Sequence, residues 1–140
     1  MEYKTTNNSV YGCQYHVVFC PKYHRKVLQS GVDERFKELA PAALKDAYPA
    51  AEILQMEVMP DHVHLLLSLP PDVAPNRAVR AVKGRTARVL RKEFPRLATK
   101  LPTLWTNSYF VSTVGGAPLE AVERYIQNQK TSQRDKGKMG

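Results

Sequence analysis

The stretch MPDHVHLLLS, residues 59–68, places two histidines on either side of a valine at the start of an apolar run. On a β-strand, residues two apart point to the same face of the sheet and lie about 6.5 Å apart along the chain. His62 and His64 are therefore predicted to share one face, while Val63 and the leucines that follow at the same spacing form an apolar second face. This alternation is typical of a strand with one buried side.

Two imidazoles at this spacing can bind one divalent cation if another part of the chain supplies a third ligand. The pattern also fits two hydrogen-bonded histidines on a half-buried sheet, and the triplet alone leaves both interpretations open. A histidine-triad hydrolase needs a third histidine where Leu66 stands, and a zincin needs two histidines four residues apart on a helix. Neither of these two enzyme classes fits.

The segments around this strand predict an α+β fold. Residues 51–60 and 62–70 read as two strands, and the Pro60-Asp61 connection favours a tight antiparallel hairpin. By periodicity and composition, further strands are predicted over 11–20 and 108–114, and helices over 32–48, 77–94 and 118–132. This order predicts a single antiparallel β-sheet covered by helices, in the ferredoxin-like or RRM-like split βαβ arrangement.

Two details of the first helix follow from its sequence. Asp33 is expected to be its N-cap, and Pro41 is expected to kink or split it.

Length and composition favour one domain inside the cell. The 140 residues suffice for a single domain, which we expect to span 1–140 with a core at 10–132 and a flexible polar tail at 133–140. No apolar run approaches the roughly 20 residues of a membrane helix, and the N-terminus lacks the apolar core of a signal peptide. The two cysteines, Cys13 and Cys20, are predicted to face opposite sides of a strand and to stay reduced.

The charge distribution favours a polyanionic partner, nucleic acid before membrane. The formal net charge is +8, and RAVRAVKGRTARVLRK at 77–92 carries seven basic residues and no acid. A charge run can also be an ordinary solvated helix face, but like charges this dense repel one another unless an anion relieves them. The candidate nucleic-acid contacts are Arg77, Arg80, Lys83, Arg85 and Arg88, with Lys22 and Arg25 as a second patch.

The last predicted helix offers a nucleophile. Tyr125 and Gln129 are four residues apart, so they share one helix face. A tyrosine hydroxyl can attack phosphorus and store the bond as a phosphotyrosine, and a nearby amide oxygen could complete the shell of a cation. The same spacing also occurs at ordinary surface or packing positions.

Together, five segments resemble the small HUH single-tyrosine transposases of minimal bacterial insertion sequences. These segments are CPKYHRKVL, MPDHVHLLLSLPP, VKGRTARVLRKEFP, LWTNSYFVSTVGG and YIQNQ, which follow one another in the family's order across about residues 10–130.

The resemblance implies an HUH fold in which His62, His64 and Gln129 bind Mg²⁺ or Mn²⁺. It implies that Tyr125 cuts single-stranded DNA near hairpins, leaving a 5′-phosphotyrosine and a free 3′-hydroxyl. It also implies a homodimer with active sites shared between subunits, in the cytoplasm of a bacterium or archaeon and associated with the nucleoid. Because imidazoles alone suit Mg²⁺ poorly, DNA phosphate is expected to supply the missing hard ligands.

Two alternatives remain at this stage. A non-catalytic RRM-like protein could bind single-stranded nucleic acid by stacking bases on aromatic side chains of its sheet, without needing the histidines. A domesticated relative could process hairpins of chromosomal repeats with the same active-site residues as a mobile transposase. Removal of the histidines distinguishes the first alternative, and the DNA that flanks the gene distinguishes the second.

Overall fold

A computed structural model describes the backbone of residues 4–5 and 10–11 and all of residues 13–114 and 123–128. Two short strands pair with each other, β1 (Lys4–Thr5) and β2 (Val10–Tyr11). The main sheet contains β3 (Gln14–Phe19), β4 (Glu52–Met59), β5 (His62–Ser68) and β6 (Phe110–Thr113). The helices are α1 (Val32–Ala47), α2 (Pro75–Glu93) and α3 (Pro95–Lys100). Residues 123–128 are also helical and are called the tyrosine segment below.

The main sheet confirms the predicted α+β fold. Its strand order is β4-β5-β3-β6, and every neighbouring pair is antiparallel. Strands β4 and β5 form the expected tight hairpin, because Met59 pairs with His62 and only two residues connect them. β5 is a central strand, since it pairs with β4 on one side and with β3 on the other.

The apolar face of β5 forms part of the protein core. Val63 and Leu67 are 0% exposed and Leu65 is 1% exposed, as the alternation predicts. They belong to one core cluster with buried side chains from α1 and α2, which therefore cover this face of the sheet. Burial of a side chain of this size contributes about 1.5–3 kcal/mol, so this face fixes which side of β5 points inward. The histidines consequently point to the other face.

The start of α1 differs from the prediction. Gly31 is its N-cap, with φ of 97° and no side-chain capping bond, so the assignment of Asp33 as the cap was wrong. Asp33 instead lies in the first turn, where a carboxylate still interacts favourably with the helix dipole. Pro41 does not split the helix, which continues to Ala47.

A further difference follows α2. The segment between the predicted helix at 77–94 and the predicted strand at 108–114, for which no element was predicted, begins with a short helix, α3. Pro95 can start it because it occupies a first-turn position where a missing N–H costs nothing. Phe94 separates the two helices, because its backbone angles, φ of −122° and ψ of 83°, are not helical.

Only part of the last predicted helix can be compared. Residues 123–128 are helical as expected, whereas Gln129, the Gly115-Gly116 pair and the tail at 133–140 lie outside the described residues. In the described part of the chain, no helix is both long and apolar enough to cross a membrane.

Candidate active site

The histidine face of β5 is built around a carboxylate that fixes one ring. Nδ1 of His62 lies 2.9 Å from Oδ1 of Asp61, the second residue of the hairpin turn. A hydrogen bond from Nδ1 to that carboxylate sets the tautomer and leaves Nε2 of His62 available to a cation. Sequence reasoning treated Asp61 only as a turn residue and missed this contact.

The same carboxylate also contacts a third histidine. Oδ2 of Asp61 lies 3.4 Å from Nδ1 of His24, whose side chain is almost fully buried. His24 and its neighbour Tyr23 both have positive φ, 55° and 59°, a conformation that costs energy in residues with a Cβ. Burial alone would raise the pKa of Asp61, but the hydrogen bond with His62 and the nearby charges of His24 and His62 hold it below its usual value. Asp61 is therefore ionised at neutral pH.

His64 lies on the same face and next to another imidazole. The rings of His16, on β3, and His64 are 5.4 Å apart between centroids. Burial lowers the pKa of His64, and the proximity of His16 lowers it further, which favours the neutral form that a cation needs. A cavity of about 290 Å³ opens beside the pair and is also lined by Gln55, Glu57 and Leu66. The alternation of side chains within β3 and within β5 does not predict that His16 lies beside His64, because this contact depends on the register between the two strands.

His62 and His64 suit a cation site that ligands from elsewhere complete. Among residues 13–114 and 123–128, no group of three or more histidine, cysteine, aspartate or glutamate side chains is arranged to hold a metal ion. The described donors are therefore two imidazoles, with Asp61 behind one of them. Such a pair fits Mn²⁺ or a similar ion that keeps oxygen ligands. Gln129, the predicted third ligand, lies outside the described residues.

Tyr125 contacts residues at and just before the start of β6. Its hydroxyl lies 3.2 Å from Oγ of Ser108, and its ring centroid lies 5.9 Å from that of Phe110. Burial raises the pKa of Tyr125, and the hydrogen bond with Ser108 offsets part of that rise. The hydroxyl is therefore a neutral phenol at pH 7 and needs activation before it can act as a nucleophile.

Lys83 supports the segment that contacts Tyr125. Its Nζ donates hydrogen bonds to the carbonyl oxygens of Thr106, at 2.6 Å, and Ser108, at 3.3 Å. Burial lowers the pKa of Lys83 to about 8. The ammonium group is thus directed into the protein, where it fixes the backbone beside the tyrosine.

The structure places the other predicted DNA contacts in different environments. Arg85 forms an ion pair with Asp46 on α1, with a shortest distance of 2.6 Å. Lys22 lies over the ring of Tyr23, 5.5 Å from its centroid. The exposed members of the predicted set are Arg25, Arg77, Arg80 and Arg88. The role of all seven cations in DNA binding stays a prediction.

The chain is similar over most of its length to known transposases. The family model described as "Transposase IS200 like" matches residues 9–129. The ISDra2 transposase TnpA of Deinococcus radiodurans is 38% identical over 133 residues, which cover 92% of each chain. The transposase of insertion sequence element IS200 from Salmonella typhimurium is 30% identical over 129 residues, covering 90% of this chain and 82% of that protein.

Two solved structures share the fold. A crystal structure of a candidate transposase from Deinococcus radiodurans R1 has a TM-score of 0.79 at 33% identity and covers 90% of this chain and 97% of that one. A REP-associated tyrosine transposase bound to a REP hairpin has a TM-score of 0.55 at 16% identity, with coverage of 88% and 67%. The second likeness concerns the fold alone.

Proposed function

Because the chain belongs to the IS200-like transposase family, we propose that it cuts and rejoins single-stranded DNA at the ends of an insertion sequence, with Tyr125 as the nucleophile. The observation that carries the proposal is the placement of His62 and His64 on one face of a central strand, where Asp61 is hydrogen-bonded to His62 and burial lowers the pKa of His64. A protein that only bound DNA would not need this arrangement.

His62 and His64 would hold a divalent cation, Mg²⁺ or Mn²⁺, through the ring nitrogens that face away from the core. A bound cation would polarise the scissile phosphate and stabilise the charge that develops there. The hydrogen bond between Asp61 and Nδ1 of His62 fixes the tautomer of the ring, so that Nε2 is free to bind the ion. Gln129 is proposed as the third protein ligand, and phosphate oxygens as the hard ligands that two imidazoles lack.

Tyr125 would carry the covalent step. Its oxygen attacks phosphorus, the phenolic proton passes to solvent or a nearby base, and the bond from phosphorus to the 3′-oxygen breaks. That oxygen leaves with a proton as a free 3′-hydroxyl, and the 5′-phosphate remains on the tyrosine. Rejoining is the reverse attack by a 3′-hydroxyl, so the bond energy is conserved and no nucleotide cofactor is consumed.

DNA hairpins are the proposed substrates. The REP-associated tyrosine transposase with the same fold is bound to a REP hairpin. On this chain, Arg77, Arg80 and Arg88 are exposed along α2. Their positive charge suits the phosphates of a hairpin stem, and it would make binding weaken as salt concentration rises.

A homodimer that shares its active sites is also part of the proposal. Strand β3 lies between β5, which carries the histidines, and β6, which neighbours Tyr125. Strands β5 and β6 are therefore two strand spacings apart, about 9.5 Å, which separates Tyr125 from the histidines of its own chain. A tyrosine from a partner subunit could approach the histidines instead. Mixing a His64→Ala variant with a Tyr125→Phe variant tests this, because only sharing between subunits restores cleavage in the mixture.

The decisive experiment uses a labelled single-stranded hairpin oligonucleotide with Mn²⁺ or Mg²⁺, with and without EDTA. We expect a protein–DNA band that survives denaturation, disappears with EDTA and is absent from the Tyr125→Phe variant. That variant should still shift the hairpin in a native gel. A band formed by Tyr125→Phe would show that another residue is the nucleophile, and absence of any band from the wild type would support a non-catalytic DNA-binding protein.

A further inference from the structure

The segment at 21–28 is anchored to the turn of the β4–β5 hairpin. The backbone N–H of Leu28 donates to the carbonyl of Pro60, the first turn residue, at 3.0 Å. Four residues earlier in this segment lies His24, whose side chain is 4% exposed and contacts Asp61, the second turn residue. The segment therefore contacts both residues of the turn, one through its backbone and the other through a buried imidazole.

Each carboxylate oxygen of Asp61 contacts a different imidazole. Oδ1 lies 2.9 Å from Nδ1 of His62, and Oδ2 lies 3.4 Å from Nδ1 of His24. A carboxylate that is held through one oxygen can still rotate about its Cβ–Cγ bond, whereas contacts at both oxygens define its plane. The side chain of His24 is the more deeply buried partner, 4% exposed against 24% for His62. His24 therefore holds the carboxylate from the protein interior, and His62 lies on its more open side.

The backbone at His24 has an uncommon conformation. Tyr23 and His24 have φ of 59° and 55°, and the N–H of His24 donates to the carbonyl of Pro21 at 2.9 Å, which closes this turn. Positive φ is uncommon for residues with a Cβ, persists only where the surrounding structure enforces it, and clusters at functional sites. The backbone conformation sets the direction of the side chain. The chain thus keeps a costly conformation at the residue that contacts Asp61.

We propose that His24 is a positioning residue of the candidate cation site, because it fixes the carboxylate of Asp61, which in turn fixes the tautomer and orientation of the His62 ring. His24 itself contacts neither the cation nor the DNA. Its effect on cation binding rests on the function proposed above. Its effect on the ring of His62 is a property of the protein in EDTA, so the two effects can be measured separately.

The first experiment measures the tautomer of His62 by long-range proton–nitrogen correlation NMR of the imidazole rings. It is carried out in EDTA at about pH 8, where an ordinary histidine is neutral. The chain has four histidines, so each set of ring signals can be assigned by its loss in a single substitution. In the wild type we expect His62 to be protonated at Nδ1 and not at Nε2. A wild-type ring protonated mainly at Nε2 would overturn the proposal before any variant is made.

Two substitutions of similar size then separate hydrogen bonding from packing at His24. Asparagine places an amide N–H near the former Nδ1 and accepts positive φ, whereas leucine has no donor. We expect His24→Asn to keep the wild-type tautomer of His62, and His24→Leu to give a mixture of both tautomers. A wild-type tautomer in a folded His24→Leu protein would contradict the proposal.

A matched control separates positioning from general loss of stability. Leu44→Val removes one methylene group from the core at the end of α1 that leads into β4, whereas the hairpin turn follows the other end of β4. It should lower the melting temperature and leave the tautomer of His62 unchanged. A tautomer change in Leu44→Val as large as that in His24→Leu would mean that His24 acts only by stabilising the fold.

The second experiment tests whether His24 acts through Asp61. Mn²⁺ binding to the complex with a single-stranded hairpin oligonucleotide is measured by calorimetry in the Tyr125→Phe background, which prevents cutting. His24→Leu should weaken binding by about fivefold, less than the roughly 10–100-fold typical for loss of a ligand's direct partner. In an Asp61→Ala background, the same substitution should change binding by less than about twofold. A fivefold loss in both backgrounds would overturn the proposal, since His24 would then act independently of Asp61.

Failure of the proposed function gives a different result from failure of this proposal. If the wild type binds no Mn²⁺ and forms no covalent band, but the tautomer of His62 changes in His24→Leu, the cation site is refuted and the contact chain from His24 to His62 stands. If the wild type binds Mn²⁺ and His24→Leu changes neither the tautomer nor the affinity, the role of His24 is refuted and the cation site stands.

Discussion

The histidine side and the tyrosine side of the candidate site are held in different ways. His62 and His64 lie on β5, which is hydrogen-bonded to strands on both sides, and Asp61 orients one of the rings. Tyr125 is attached to the sheet through side chains, by one hydrogen bond to Ser108 and a ring contact with Phe110. The histidine side is thus fixed by the backbone of the sheet, whereas the tyrosine side depends on two side-chain contacts. This difference is compatible with the proposed role of Tyr125, which would form a bond to DNA and later release it.

The largest expected effect is on the histidine side. His64→Ala should slow covalent-band formation by about a hundredfold or more, because a cation supplies several kcal/mol of charge stabilisation. His16→Ala is the matched control, since its ring lies beside His64 on the same face but belongs to another strand. It should retain the rate within about fivefold. Equal losses in both variants would mean that His16 is also a ligand.

A smaller effect is expected when the carboxylate is neutralised. Asp61→Asn should weaken Mn²⁺ binding to the protein–DNA complex by about 10–100-fold, because His62 loses the partner that sets its tautomer. Glu57→Gln is the control, since Glu57 is an exposed carboxylate paired with His64 across the hairpin. Calorimetry with Tyr125→Phe as the background measures binding without cleavage. If Glu57→Gln weakens binding as much as Asp61→Asn, general negative charge matters and orientation does not.

The tyrosine side should respond more weakly. Ser108→Ala removes one hydrogen bond, worth about 1 kcal/mol, so single-turnover cleavage should change by only about fivefold. The pKa of Tyr125 should rise further, because that bond lowers it. Ser112→Ala on β6 is the control, and ultraviolet titration of tyrosine together with quenched-flow kinetics provides the two readouts. A hundredfold loss in Ser108→Ala alone would show that Ser108 contacts the reacting groups.

The smallest effect concerns pH and Lys83. Its pKa is about 8 in the folded protein and 10.5 in its unperturbed state, so between these values the unfolded chain holds more protons. The contribution of Lys83 to stability therefore increases with pH across that window and is constant below it. Cys20, whose pKa is raised to about 12 by burial, acts in the opposite direction above pH 9.

For that reason the measured quantity is the difference in unfolding free energy between the wild type and Lys83→Met. It should increase from pH 8 to pH 10 in urea titrations. A difference independent of pH would mean that Lys83 keeps an ordinary pKa, and that its ammonium is less buried than its two carbonyl contacts indicate.

Much of the sheet could be predicted from the sequence because its signals are local. The alternation through Val63 fixes the faces of β5, and Pro60-Asp61 fixes the hairpin. The N-cap of α1 could not be predicted in this way, since Gly31 reaches its cap position through a positive φ, and Asp33 is only two residues further on.

The candidate site was less accessible to sequence reasoning for a physical reason. The contacts of His24 with Asp61 and of Ser108 with Tyr125 join positions 37 and 17 residues apart. Such contacts depend on how strands and turns pack in three dimensions, and the hydrophobic periodicity of a sequence does not predict this packing. Lys83 illustrates the same limit, because it belongs to a basic run but its ammonium group is bonded to carbonyls inside the protein.

The two-residue turn at Pro60-Asp61 has a practical consequence for protein engineering. The backbone N–H of Leu28 donates to the carbonyl of Pro60 at 3.0 Å, so the turn is anchored from outside the hairpin as well as from within it. One glycine inserted after Pro60 would leave the strand ladder intact but move the carboxylate of Asp61 away from His62. The affinity of the proposed cation site could thus be tuned by loop length alone, with its proposed ligands and the proposed nucleophile left unaltered.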